Sequence, residues 1–102
     1  MASQPEVVAY VADLMDWSKL SGVLELKRVK SLDSSELVGA AKLIVDLDKA
    51  DLGELEAVLS QDLVKIGYCS HVNSELRASA EALGFKVYAR SRFFSDPHSF
   101  IC

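Results

Sequence analysis

Cysteine, proline and glycine are scarce in this chain, at 2, 2 and 5 of its 102 residues. Cys69 sits inside an apolar run and Cys102 is the last residue, which is not the pattern of a disulfide framework. The low glycine and proline content excludes collagen-like and low-complexity classes. A basic excess is missing too: 11 Lys and Arg against 15 Asp and Glu give a net charge of −4 with no basic stripe. That balance argues against a grip on nucleic-acid phosphates. The opening residues "MASQPEVVAYVADLMDW" have no basic start and meet Asp13 after a short apolar run. Neither a signal peptide nor a membrane span is readable, so a reducing, cytoplasmic setting is the expected default. "VADLMDW" contains no glycine, which argues against a dinucleotide or P-loop turn after the first apolar run. His71 has no partner at metal-ligand spacing and reads as a loop histidine rather than a zinc ligand.

What is present is an ordinary globular composition, 50% hydrophobic and 25% charged, in a length that suits one domain over residues 1–102. Five runs of strand length recur: "EVVAYVA" (6–12), "LELKRVK" (24–30), "AKLIVDL" (41–47), "VKIGYCS" (64–70) and "FKVYARS" (85–91). Four are mostly apolar, as strands covered on both faces of a parallel sheet are. The second alternates Leu24, Leu26 and Val29 with charges, which suits an edge strand.

Helical patterns separate them. Leu14, Trp17, Leu20 and Leu24 recur at about one turn after Asp13, a candidate N-cap, and Leu52, Leu55, Val58 and Leu59 follow Asp51 in the same way. "VNSELRASAEALG" has Asn73 or Ser74 as cap, Val72, Leu76, Ala80 and Leu83 on one face, and Gly84 as terminator. "DSSELVG" offers Asp33 or Ser34 as a cap but leaves room for only a short second helix before Gly39. The tail "RFFSDPHSFIC", interrupted by Pro97, leaves room for one or two turns. Its Phe93, Phe94 and Phe100 either close the core or face a partner.

Alternating strands and helices predict an α/β fold, a five-stranded parallel sheet in a flavodoxin-like, doubly wound three-layer sandwich with shortened second and last helices. In such a sheet the crevice lies beyond the carboxyl ends of the strands. Those ends carry Asp13, Asp46 with Asp48, Ser70 with His71, and Arg90 with Ser91. Neighbouring carboxylates suit a hard cation such as magnesium, and a guanidinium can hold phosphate or carboxylate. In "VKIGYCSHVNSEL", Cys69 and Ser70 fall on opposite faces of the strand and cannot share a reaction centre. Cys69 reads as a small buried filler.

At these strand tips the chain resembles the receiver domains of two-component response regulators. "LIVDL" resembles that family's third strand and puts Asp46 at the phosphoacceptor position; Ser70 in "GYCSH" falls on the hydroxyl that contacts the phosphoryl group, and Asp13 on the second acid of the acidic pair. "GYCSHVNSELRASAEALGFKVYARSRF" is similar to small stand-alone receiver-like proteins with a Ser-His pair at strand four and an Arg-Ser pair at strand five. The departures are specific. Ala12 replaces the first acid, with Asp16 one turn further on, and Arg90-Ser91 replaces Lys-Pro. Lys49-Ala50 stands in place of Met-Pro, and Val87 at the aromatic switch position has Tyr88 beside it on the opposite face.

The resemblance implies a single-domain signalling or protein-interaction module of phosphorelay type, not an enzyme beyond weak autophosphorylation from a phosphodonor. Its partner would be a histidine kinase or a downstream signalling protein. Asp46, Ser70 and Arg90 would form the reactive set, Asp13 and Asp46 would hold magnesium, and Arg90 would either hold phosphoryl oxygens or pair with Asp46. A homodimer through the strand-five face is also expected. The rival readings are a small phosphate-ligand binder in the same crevice, or a structural protein with a relic site.

Overall fold

The computed structural model describes residues 6–22, 26–30, 32, 37, 40–50, 52–56, 58, 63–70 and 74–101. Its strands are β1 (Glu6–Tyr10), β2 (Lys27–Arg28), β3 (Ala40–Asp46), β4 (Val64–Cys69) and β5 (Phe85–Ala89). The helices are α1 (Leu14–Ser21), α2 (Leu52–Glu56), α3 (Ser74–Ala82), α4 (Arg90–Ser95) and α5 (Pro97–Ile101). All neighbouring strands pair in parallel, in the order β2-β1-β3-β4-β5. This is the flavodoxin-like arrangement expected from the alternation, with the alternating second strand at an edge. The order reverses beside β1, so the switch point falls between β1 and β3.

Side chains alternate across the sheet and divide the core in two. On one face Val8, Leu43, Val45 and Val87 pack with Leu55 of α2, Val58 and Ala80 of α3. On the other, Ala9, Val11, Ile44, Ile66 and Tyr68 pack with Leu20 of α1 and Phe93 of α4. Gly67 brings β4 against Leu47: a Cβ there would lie 2.6 Å from the Leu47 Cδ1. Gly84 ends α3 at φ 92°, a conformation that favours glycine, and donates its N–H to the Glu81 carbonyl.

Several expected boundaries move. β1 and β2 are shorter than their apolar runs, and β5 stops at Ala89, so Arg90 and Ser91 belong to α4 rather than to the strand. The cause is the aromatic pair that follows: turning immediately into a helix lays Phe93 on Tyr68, ring centroids 5.0 Å apart, with Phe94 edge-on at 4.9 Å. Pro97 interrupts the tail as expected, since α4 ends at Ser95, and it starts α5, where its missing N–H is harmless. The phenylalanines close the core, with Phe93 fully buried and Phe94 and Phe100 packed against the same cluster. The expected apolar face of α1 is rotated, since its buried residues are Asp16 and Leu20 whereas Leu14 is 68% exposed. The short helix before Gly39, the capping residues Asp33, Ser34, Asp51 and Asn73, and Leu24, Leu59, His71, Val72 and Cys102 lie outside the described residues.

Candidate functional site

Asp46 is the last residue of β3, and its partner across the sheet is Tyr68 of β4, which in turn neighbours Tyr88 of β5. All three point to the face covered by α1 and α4. There Asp46 is 2% exposed. Its Oδ1 accepts the Asp48 N–H at 3.1 Å, while its carbonyl accepts from Lys49 and Ala50 N–H and folds the chain into a turn. Burial pushes its carboxyl above the ordinary 3.8; the charges of Asp48 and Asp16 act the same way, and the Asp48 amide and Arg90 oppose them.

Beside it lies a buried charge, Asp16, reached through α1. Asp13 is the N-cap of this helix: its Oδ1 accepts from Met15 N–H at 2.8 Å and Asp16 N–H at 3.4 Å. These bonds hold its carboxyl below 3.8. The cap fixes the start of the helix so that Asp16, one turn in, faces the sheet at 1% exposure. Asp16 accepts a hydrogen bond from the Tyr68 hydroxyl at 3.2 Å and forms an ion pair with the Arg90 guanidinium. Arg90 also lies over the rings of Tyr68 and Phe94, at 5.5 and 5.3 Å from their centroids. The bond to Asp16 raises the Arg90 pKa further; burial, chiefly, with the charges of Asp46 and Asp16, pushes the Tyr68 phenol far up, so it stays a neutral donor.

The sequence-derived residues therefore separate. Asp46 and Arg90 share a face, but the partner of Arg90 is Asp16 rather than Asp46. Asp13 serves its helix. Ser70 is exposed, and it is its backbone N–H, donated to the Asp48 carboxylate at 2.6 Å, that ties the end of β4 to the turn after β3. Asp48, placed by the sequence only beside Asp46 at the end of the third strand, is thus the link between two strand tips. Cys69 is buried and Ser70 exposed, as the alternation requires, and burial raises the Cys69 thiol pKa.

A cleft of about 330 Å³ opens on the other side of Asp46, at the switch point; Tyr10, Val11, Ala12, Arg28, Val29, Lys30 and Lys49 complete its lining. Arg28 anchors it. Its Nε and Nη2 donate to the carbonyls of Val11 and Ala12 at 3.0 and 3.1 Å.

These residues are a poor fit to magnesium. Ala12 offers no carboxylate, Asp13 Oδ1 is committed to two amides, and Asp46 shares its cleft with three cationic side chains. No group of three or more His, Cys, Asp or Glu able to hold a metal occurs among the described residues. Among those residues, no helix is long and apolar enough to cross a membrane.

No family model, curated protein or solved structure matches the chain.

Proposed function

We propose that this chain is a degenerate, receiver-like signalling module that acts by contacting a protein partner in the cytoplasm and carries out no phosphoryl transfer. The observation that carries this reading is the position of Arg90. It starts α4 directly after β5, where a receiver places its phosphate-binding lysine, yet Asp16 and the Tyr68 ring already hold it. A guanidinium paired in this way must give up a buried partner before it can hold a phosphoryl oxygen. Asp46 keeps the phosphoacceptor position at the end of β3 without the acid pair that would organise magnesium.

The partner surface in this proposal is the first turn of α1, where Leu14 and Met15 are 68% and 71% exposed beside the strand tips. A second copy of the chain can use the same turn, since the phenylalanines that favoured dimerisation through β5 are packed in the core. Sedimentation at micromolar concentration should then show a mass above that of one chain, and a strictly single-chain mass removes the dimer. The partner itself is tested by a photo-crosslinking amino acid at Met15 in the cells that make the protein. An adduct with a histidine kinase or its downstream signalling protein supports the proposal. An adduct confined to metabolic enzymes, or none, contradicts it.

A further inference from the structure

The cleft at the switch point differs in chemistry from the apolar first turn of α1. It lies between the carboxyl ends of β1, β2 and β3, with a volume of about 330 Å³. That is the lower end of small-molecule sites, which run from about 300 to 1,000 Å³. Three cationic side chains, Arg28, Lys30 and Lys49, line the cleft together with one carboxylate, Asp46. Among the described residues, the ion pairs are Arg77 with Glu81 and Arg90 with Asp16, so these three cations are not consumed by acidic neighbours there.

Arg28 is held in place in advance. Two of its N–H groups bond the terminal carbonyls of the β1 run, which fixes the guanidinium plane at the rim and leaves its other donors for a ligand. Val11 and Ala12 give an apolar wall beside it. Asp46 uses Oδ1 for the Asp48 amide, and its remaining lone pairs can accept from a hydroxyl.

We propose that this cleft binds a small phosphate monoester that also carries a hydroxyl group. Three cations against one carboxylate leave a formal surplus of two positive charges, which matches a phosphate ester at about −1.5 to −2 near neutral pH. The phosphate contacts Arg28, Lys30 and Lys49, and the hydroxyl donates to Asp46. The size excludes a dinucleotide. Binding at this place does not depend on phosphorylation of Asp46 or on a protein partner.

The test is an amide NMR titration of the full chain with ribose 5-phosphate, inorganic phosphate and ribose. Ribose 5-phosphate should give saturable shifts at Ala12, Lys30 and Lys49, phosphate weaker shifts at the same amides, and ribose none. The surface substitutions Lys30→Ala and Lys49→Ala should together weaken ribose 5-phosphate binding at least about tenfold, as loss of two charge-assisted contacts requires, while Lys86→Ala leaves it unchanged. Unshifted amides in β4 and β5 verify that the variants remain folded. The proposal is overturned by no saturable shift at about 10 mM ligand, a range that detects even very weak complexes, by equal response to ribose, or by binding that survives both substitutions.

Discussion

Asp16 and Arg90, 74 positions apart in the sequence, meet as an ion pair in which the carboxylate is buried and the guanidinium remains about one third exposed. The pair ties α1 to the junction of β5 and α4 and also receives the Tyr68 hydroxyl. Removing one member of such a pair is more damaging than the pair's net contribution, because a charge is left without its partner. Asp16→Ala should therefore destabilise the fold by about 3 kcal/mol, and Tyr68→Phe by about 1.5 kcal/mol, the range for a hydrogen bond to a charged group. The double variant Asp16→Ala with Arg90→Ala should recover part of the loss. Urea denaturation of the parent, Asp16→Ala, Arg90→Ala and the double variant, with Tyr68→Phe beside them, measures this, and strictly additive losses would mean that Asp16 and Arg90 are not coupled.

The aromatic tail supports the same junction. Phe93 stacks on Tyr68 and contacts Phe94 and Phe100, ring centroids 5.3 and 6.2 Å away. Phe93→Ala should cost about 3 to 5 kcal/mol, the usual loss for a buried phenylalanine. Near-ultraviolet circular dichroism should lose aromatic signal at the same time. A loss below about 1 kcal/mol would put Phe93 outside the core, in the range of surface substitutions.

Gly67 is tested by adding one methyl group. Its Cβ would come within 2.6 Å of Leu47 Cδ1 and 2.8 Å of Cγ, and Leu47 is fully buried. Gly67→Ala should destabilise by about 1 to 3 kcal/mol through overpacking. A smaller residue at position 47 should lessen this effect: the cost of Gly67→Ala, measured by denaturation, should be lower in a Leu47→Ala background. An equal cost in both backgrounds would contradict the contact.

Two carboxylates should respond to pH with opposite signs. The folded state raises the Asp46 pKa above 3.8, so it binds a proton that the unfolded chain has already released. Stability from this group is greatest below 3.8 and falls as pH rises through the raised value. Asp46→Asn should thus stabilise the protein near neutral pH, with the gain fading towards 3.8. Asp13 has a lowered pKa, so its contribution is complete above 3.8 and is lost as pH falls through the folded value. Asp13→Ala should destabilise near neutral pH and matter less in acid. Denaturation curves over a pH series compare all three proteins, and an Asp46→Asn variant less stable than the parent at neutral pH would contradict the assignment.

The sheet was legible in the sequence because apolar runs of strand length alternate with helical spacing, and the charge-bearing "LELKRVK" marked its edge. From strand order alone, Asp46 and Arg90 could be placed at one end of the sheet. Their partners could not, because pairing depends on helix rotation. The spacing of Leu14, Trp17 and Leu20 implied one buried face, whereas capping by Asp13 turns Asp16 and Leu20 inward. A carboxylate on the same face as Leu20, four residues before it, was the available signal. Tyr68 drew no notice within "VKIGYCS", although its position opposite Asp46 makes it the donor to Asp16. Arg28 and Lys30 stood out in the sequence only as charges of the alternating edge strand. Their place in the cleft follows from β2 lying next to β1, which brings the basic end of "LELKRVK" to the switch point.

On the proposed reading Arg90 is committed to Asp16 and Asp46 does not accept a phosphoryl group. Incubation with acetyl phosphate and magnesium, beside an active receiver domain as control, followed by intact-mass and peptide mass spectrometry, tests it most directly. The expected result is phosphorylation of the control and an unchanged mass for this chain; an aspartyl phosphate on Asp46 would contradict the account.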